Sequence, residues 1–429
     1  MSGVAVVGSG NYELFVDTGF LQDAFILDSA TAGVLNNTQY VLDGTTNFAP
    51  ILDGCVNVTV KRGRADVGDS FGAGSMVFTL SDVSGIFNPF DEQSPYWDGT
   101  TQQPGLAPMR EVKLVRYDNA NNLQPLFTGK IINYNYNFAL GALDTVTVFC
   151  ADDFYLLSQT VLSEYNVSEE LSSARLTNIL NLPEVDYPLL QRNIETGTQT
   201  LGGSAAFTIS EGTNVFQYCT AINEAEQGRF FVSSGGILNF EPRIGNTLSA
   251  SIIDFHDDGS NVPYNDLGIT FEADQVVNRA VVQILGSNNP QVAEDLASQA
   301  TYFIQTTSLT SSLLHSDAAA DTLANYLLAG TPEARYTAVG TQFNMLTTAQ
   351  KDVVATAEIG STITIEKTFA SGTGTTELAQ ELAIEGIEHT LSLDRGHSIM
   401  LFTSPTTVVY ELILDDAIYG ILNAGNVLG

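Results

Sequence analysis

Residues 74–82 read Gly-Ser-Met-Val-Phe-Thr-Leu-Ser-Asp. Met76, Phe78 and Leu80 fall at every second position, with Ser75, Val77, Thr79 and Ser81 between them. A period of two is that of a strand with one buried face. The same habit recurs outward in both directions: VNVTVKRGR from Val56, EVKLVRY from Glu111, DTVTVFC from Asp144, NRAVVQIL from Asn278 and STITIEK from Ser361. Gly, Asn, Asp and Pro turns separate these runs, and such a density of short strands points to barrels or sandwiches.

Helical spacing is confined to three places. SSARLTNILNL (172–182) puts Leu176, Ile179 and Leu180 on one face and meets Pro183 as a stop. Thr213 or Asn214 can cap a helix carrying Val215, Phe216, Cys219 and Ile222, ended by Gly228. Ser316 or Asp317 can cap DAAADTLANYLLAG, with Leu323, Tyr326 and Leu327 at helical intervals. These stripes read as core packing. Between the second and third helices lies RFFVSSGGILNFEPR, a hairpin whose turn is Ser233 to Gly236. The expected fold class is mainly β with a small α+β insertion: two β-barrel domains, a helix–hairpin domain between them, and terminal arms. The expected boundaries are an arm at 1–48, a first barrel at 49–160, the insertion at 161–245, a second barrel with one helix at 246–405, and an arm at 406–429.

Composition narrows the function. The 429 residues suffice for several domains, and 49 Asp and Glu against 16 Lys and Arg give a formal net charge of −33. Such a field repels phosphate backbones and anionic membranes. It serves solubility or a saline habitat, or it forms a repulsive wall along which DNA passes without sticking. Cys55, Cys150 and Cys219 are scattered and odd in number, which argues against a disulfide framework or a metal site. His256, His315, His389 and His397 show no ligand spacing. The start, MSGVAVVGSGNYELF, has no basic n-region and no long apolar run, so no signal peptide is expected. No apolar stretch nears the ~20 residues of a membrane span.

Two segments repeat. Residues 26–36 read ILDSATAGVLN and 413–423 read ILDDAIYGILN, identical at seven of eleven positions. The shared residues include Ile26, Leu27, Asp28, Gly33, Leu35 and Asn36 in the first copy, and Ile413, Leu414, Asp415, Gly420, Leu422 and Asn423 in the second. Each runs on to a Val-Leu pair, Val41-Leu42 and Val427-Leu428. Neither is long enough to bury its own apolar face, so each is expected to dock on the body of the protein or on a neighbour.

Catalytic patterns are missing from the sequence. VAVVGSGNYE imitates a dinucleotide-binding turn at Gly8 and Gly10, but Glu13 occupies the third glycine position and no βαβ pattern follows. There is no P-loop, G-x-S-x-G elbow or H-E-x-x-H helix. Asp152-Asp153, Asp257-Asp258 and Asp415-Asp416 could serve a glycosidase or bind calcium. Adjacent strand residues point to opposite faces, however, so these pairs are expected to be solvated surface. HDDGSN (256–261) is the best calcium-like loop, and it lacks the bidentate Glu. No cofactor and no metal are expected, and no enzyme activity.

A family resemblance emerges from ordered turn-and-strand signatures. Arg62-Gly63-Arg64 comes first, then Thr79-Leu80-Ser81-Asp82, Gly85-Ile86-Phe87-Asn88-Pro89, Ser94-Pro95-Tyr96, Pro108-Met109-Arg110-Glu111-Val112 and Leu126-Phe127-Thr128-Gly129. Asp152-Asp153 and Leu157, Phe240-Glu241-Pro242-Arg243, and Asp274 through Val276 to Asn278 follow. Glu358-Ile359-Gly360-Ser361 and Glu385-Gly386-Ile387-Glu388-His389 complete the set, with Ser361 where an Asp is usual. In this order they resemble the minor tail proteins, or tail-tip hubs, of long-tailed bacteriophages, over roughly residues 25–429. The resemblance implies a hub of two β-barrels related to baseplate hubs, structural and not catalytic, located in the virion tail tip after synthesis in the host cytoplasm. It implies a homotrimer contacting the distal tail ring, the tape-measure protein and tail fibre or receptor-binding proteins. DNA would pass through without specific binding, and no small-molecule substrate is implied. A receptor- or carbohydrate-binding tail module is the alternative, resting on the single Trp97 in SPYWDG; a tail-associated hydrolase is a third reading.

Overall fold

The computed structural model describes residues 11–19, 48–65, 70–140, 143–243, 251–332, 334–371 and 374–405. Every alternating run above becomes a strand. Thirteen strands join one sheet: β1 (Tyr12–Asp17), β2 (Phe48–Pro50), β3 (Cys55–Gly63), β4 (Ser75–Asp82), β5 (Glu111–Tyr117), β6 (Leu123–Asn137), β7 (Asp144–Ala151), β8 (Ile253–His256), β9 (Asp266–Thr270), β10 (Arg335–Gln342), β11 (Thr362–Ser371), β12 (Gly374–Ser392) and β13 (Gly396–Pro405). Pairing runs β9–β10–β13–β12–β3–β4–β7–β6–β5–β1–β2, and β8 joins through β11, which pairs with β12. The two strand-rich blocks therefore share one ladder, through the antiparallel register Gly63↔Gly386 to Asn57↔Ser392.

Alternation sets the burial. On β4, Met76, Phe78 and Leu80 are inaccessible to solvent, and Val58, Val60, Val146 and Val148 meet them from the flanking strands. One apolar cluster continues from these residues through the helices to Ile363, Ile387 and Leu401. Large-to-small changes at such positions cost about 2–5 kcal/mol.

The helices are α1 (Asp153–Gln159), α2 (Ser172–Leu180), α3 (Val215–Glu226), α4 (Leu296–Tyr302), α5 (Asp317–Tyr326) and α6 (Thr348–Ala355). The three expected from spacing are α2, α3 and α5. Asn214 caps α3 through the Gln217 amide at 3.1 Å, and Ser316 caps α5 through the Ala319 amide at 3.3 Å. The expectation of one helix beyond residue 246 is corrected, because α4 and α6 accompany α5 there. At seven and eight residues they are too short to show a period, and they are fixed by their caps: Asp295 on α4, and a reciprocal Thr347–Gln350 capping box on α6.

The hairpin Arg229–Val232/Leu238–Glu241 forms as expected, with Arg192–Ile194 added in parallel to its second strand. A second small sheet, Arg279–Ile284 between Gln291–Glu294 and Thr306–Ser312, packs against α5. The fold class, mainly β with a small α+β insertion, is the one expected. Among the described residues no helix is long and apolar enough to cross a membrane.

Candidate functional site

The signatures that are distant in sequence converge on one buried ionic junction. Arg62, with 2% of its side chain exposed, ends β3 and donates to Glu358 at 2.5 Å. The other oxygen of Glu358 accepts from the Ser234 amide, in the hairpin turn, at 2.8 Å. Arg64 donates to Glu385 on β12 at 2.9 Å, and Arg229 of the hairpin reaches the other Glu385 oxygen at 3.4 Å. Ser404 on β13 donates to that same oxygen at 2.8 Å. Burial opposes the charge on Glu358, yet the Arg62 guanidinium and the Ser234 and Ile359 amides hold its carboxyl below the usual glutamate range.

The glycines of these signatures make the approach possible. A Cβ on Gly63, at φ +80°, would lie 2.2 Å from the Glu385 carbonyl oxygen, and one on Gly386 would lie 2.3 Å from that of Arg64. The remaining signatures have the same character. Asp82 is buried and accepts from the Phe87 amide at 3.0 Å and the Tyr136 hydroxyl at 2.7 Å, which folds the Gly85–Pro89 turn onto the sheet. Gly129 lies where a Cβ would meet the Ala151 carbonyl oxygen at 2.5 Å.

A second polar cluster lies further along β12. His397 and His389 share a hydrogen bond of 3.0 Å, and Tyr12 meets Nδ1 of His397 at 2.8 Å. With the hydroxyl donating, His397 carries its proton on Nε2 and donates it to Nδ1 of His389, an arrangement that needs both imidazoles neutral. Phe343 stacks on His397 at 3.8 Å. Burial, with the Arg62 charge adding to it, pushes His389 down to about 3; burial, His389 and Arg116 hold His397 well below the usual range. Arg116, also buried, is neutralised by Asp352 of α6 at 2.8 Å.

One acidic pair departs from expectation, while Asp257 and Asp258 are exposed as expected. Asp152 and Asp153 are not solvated surface; they are buried, because the chain turns from β7 into α1 at that point. Asp152 accepts from the Gly74 and Phe154 amides at 2.7 and 3.0 Å, and burial raises it to about 7. Asp153 takes Lys130 at 2.6 Å and the Tyr187 hydroxyl at 2.9 Å. In the calcium-like loop, Asp257 pairs with Lys367 at 2.6 Å, and His256 lies between Asp258 and Glu366 at 2.7 and 2.9 Å. Among the described residues no cluster is arranged to hold a metal. The three cysteines are free and buried, two on strands and one on the inner face of α3.

Trp97 sits in a two-residue ladder, Trp97–Asp98 against Gln103–Pro104. The hollow beneath it, lined by Ile86, Phe87, Tyr96 and Pro104, has room for about one water, not a sugar ring. Phe87 and Tyr96 stack on each other at 5.5 Å in its wall.

The expected docking residues (Ile26, Leu27, Asp28, Gly33, Leu35, Asn36, Ile413, Leu414, Asp415, Gly420, Leu422 and Asn423), like Asp416, lie outside the described residues. Sequence reading singled out Arg62, Arg64, Glu358 and Glu385 as pattern only and gave Arg229 no role. The available signal was scarcity: with 16 Lys and Arg in the chain, an arginine inside an apolar strand is a candidate for a buried pair.

No protein-family model matches the chain, and no curated protein matches it. Among solved structures, a tail protein from Neisseria meningitidis MC58 superposes with a TM-score of 0.54 at 12% identity, over 92% of this chain and 97% of that one. The prophage MuSo2 43 kDa tail protein from Shewanella oneidensis gives 0.53 at 9% identity, over 92% and 99%. At such identities the likeness is one of fold, and it extends over nearly the whole of all three chains.

Proposed function

We propose that this chain is a structural protein of a long-tailed phage tail, serving as the hub of its tip in the virion. The observation that carries this reading is the end-to-end likeness to two proteins described as tail proteins. The buried junction supports it, since every carboxylate there is engaged by arginine or amide and none is left to act on a substrate. The hub would be a homotrimer, closing the tube against the distal tail ring and the tape-measure protein and carrying fibre or receptor-binding proteins. The repeated segments at 26–36 and 413–423 would be its connectors, as arms flanking a first barrel (49–160), an insertion (161–245) and a second barrel (246–405).

A path for DNA finds support in one row of the sheet. Asn135, Thr147, Thr79, Asn57 and Ser392 stand opposite one another on five successive strands, half-buried to exposed and uncharged. In a chain of net charge −33 such a row neither binds nor strongly repels a phosphate backbone. Peptide mass mapping and negative-stain imaging of purified particles test the reading; a protein absent from the particles sinks it. Deleting residues 410–429 is expected to leave a soluble folded body that no longer enters tips. A truncated chain that still assembles would remove the connector role.

A further inference from the structure

The segment after α4 presents a strained aromatic to solvent. Phe303 has φ +59° and ψ −179°, a region that side chains other than glycine's avoid, and it is 83% exposed. Ile304 beside it is 59% exposed, and Leu296, which opens the helix, is 70% exposed. Among the described residues nothing apolar covers the phenyl ring there, so the backbone must be held by something else.

That something is Asn278, which is inaccessible to solvent. Its side-chain amide donates to the Phe303 carbonyl at 2.6 Å, and its side-chain oxygen accepts from the Gln305 amide at 2.8 Å. The same NH2 group reaches Ser298 inside α4 at 3.2 Å, and the Asn278 carbonyl accepts from Asp295, the cap of that helix, at 2.9 Å. One buried residue thus grips the start, the middle and the exit of α4. A rigid exposed aromatic loses little freedom when bound, which is the property of an interface anchor.

The geometry points to the Phe303–Ile304 tip as an anchor that inserts into an apolar pocket on another polypeptide of the particle, one whose pocket is rimmed by Lys or Arg. Charge selects the partner. Residues 271–330 carry six carboxylates, Asp295 and Glu294 at the helix start among them, against the single Arg279. A second copy of this acidic chain, or an anionic membrane, would meet like charge there; a basic rim would meet its complement. The proposal rests on the tail reading above.

Phe303→Gly separates anchor from scaffold, because glycine relaxes the backbone while removing the ring. In the full chain, Tm is expected to rise by a few degrees while incorporation into particles, in complementation with the remaining tail proteins, falls tenfold or more. Phe303→Leu is expected to stay within about threefold of wild type. A benzophenone amino acid at position 303 is expected to cross-link to a different tail polypeptide. A wild-type chain absent from particles overturns the tail reading and this proposal with it. Wild-type incorporation matched by Phe303→Gly overturns the anchor alone, as does a lowered Tm for that variant. Cross-linking only to a second copy overturns the partner assignment.

Discussion

Glu385 and His389 stand four residues apart on β12, both buried, and the fold treats them in opposite ways. Glu385 is paired with Arg64 and Arg229, with Ser404 filling a remaining lone pair. His389 is kept neutral by burial, its Nδ1 bonded to His397 and through it linked to Tyr12. The ionic end joins β3, the hairpin and β12, elements far apart in sequence, and the neutral end joins β1 to β12 and β13. The contrast follows from composition. Arginine cannot shed its proton, so burying it requires a carboxylate, whereas histidine can discard its charge at little cost near neutrality.

The largest effect is expected at the ionic end. Arg62→Ala leaves the half-buried Glu358 without its guanidinium. Removing one partner of a fully buried pair costs about 3–5 kcal/mol, and the lower end of that range is expected here because water reaches Glu358. Urea unfolding of the two chains measures it, and a loss no larger than that of an exposed pair would show that water already screens the pair.

The neutral end should respond to acid. His389 titrates at 6.5 when exposed and at about 3 in the fold. Below pH 6.5 the unfolded chain therefore binds more protons, and stability falls as acid is added by up to about 1.4 kcal/mol per pH unit. His397, also lowered, acts in the same direction. Asp152 acts against them: its ordinary value is 3.8 and its folded value about 7, so its contribution is lost as pH rises across that range. The two histidines outweigh the one carboxyl, giving a net loss toward acid. Asp152→Asn should steepen that loss and His389→Gln should flatten it. Unfolding midpoints measured between pH 4 and 7 decide this, and slopes that do not move would remove the neutral cluster as the acid-sensitive element.

Much of this architecture was legible and part was not, for identifiable reasons. The alternation in Ser75–Asp82 or Asp144–Ala151 is local, so the strands could be read directly. Asn214 and Ser316 are local signals too, and they cap the helices that spacing placed there. The Thr347–Gln350 box was equally present and went unread because α6 is too short to show a stripe. The junction was beyond reach for a different reason: Arg62 and Glu358 are separated by 296 positions, and they meet only because β3 pairs with β12 while Gly360 and Ser361 bond to Ile384 of that same strand. Asp152-Asp153 misled because a pair read as strand surface instead begins a helix, where Asp152 accepts backbone amides and Asp153 takes Lys130 and Tyr187.

Glycine sharpens the same comparison with a smaller effect. Gly63 is needed twice, for its φ of +80° and for the 2.2 Å a Cβ would leave to the Glu385 carbonyl oxygen. Gly63→Ala should cost roughly 1–3 kcal/mol from backbone strain, plus whatever the displaced β12 loses in its ion pairs. If the pairs matter as argued, the loss will exceed that of alanine at Gly85, which has φ +78° and open space where its Cβ would be. Equal losses at the two positions would mean that the backbone conformation alone is responsible.

The least effect is expected where charge meets solvent. Asp257 is drawn below the usual aspartate range by Lys367 and the Thr368 amide, in the loop that most resembled a calcium site. An exposed pair gains little, since water screens it and two side chains must be ordered to make it. Asp257→Asn should leave the unfolding midpoint indistinguishable from wild type, in contrast to Arg62→Ala. Added calcium should not move it either, because Asp257 is occupied by Lys367 and His256 stands between Asp258 and Glu366. A calcium-dependent rise in Tm abolished by Asp257→Asn would overturn that reading and make this loop a ligand site instead of a surface ion pair.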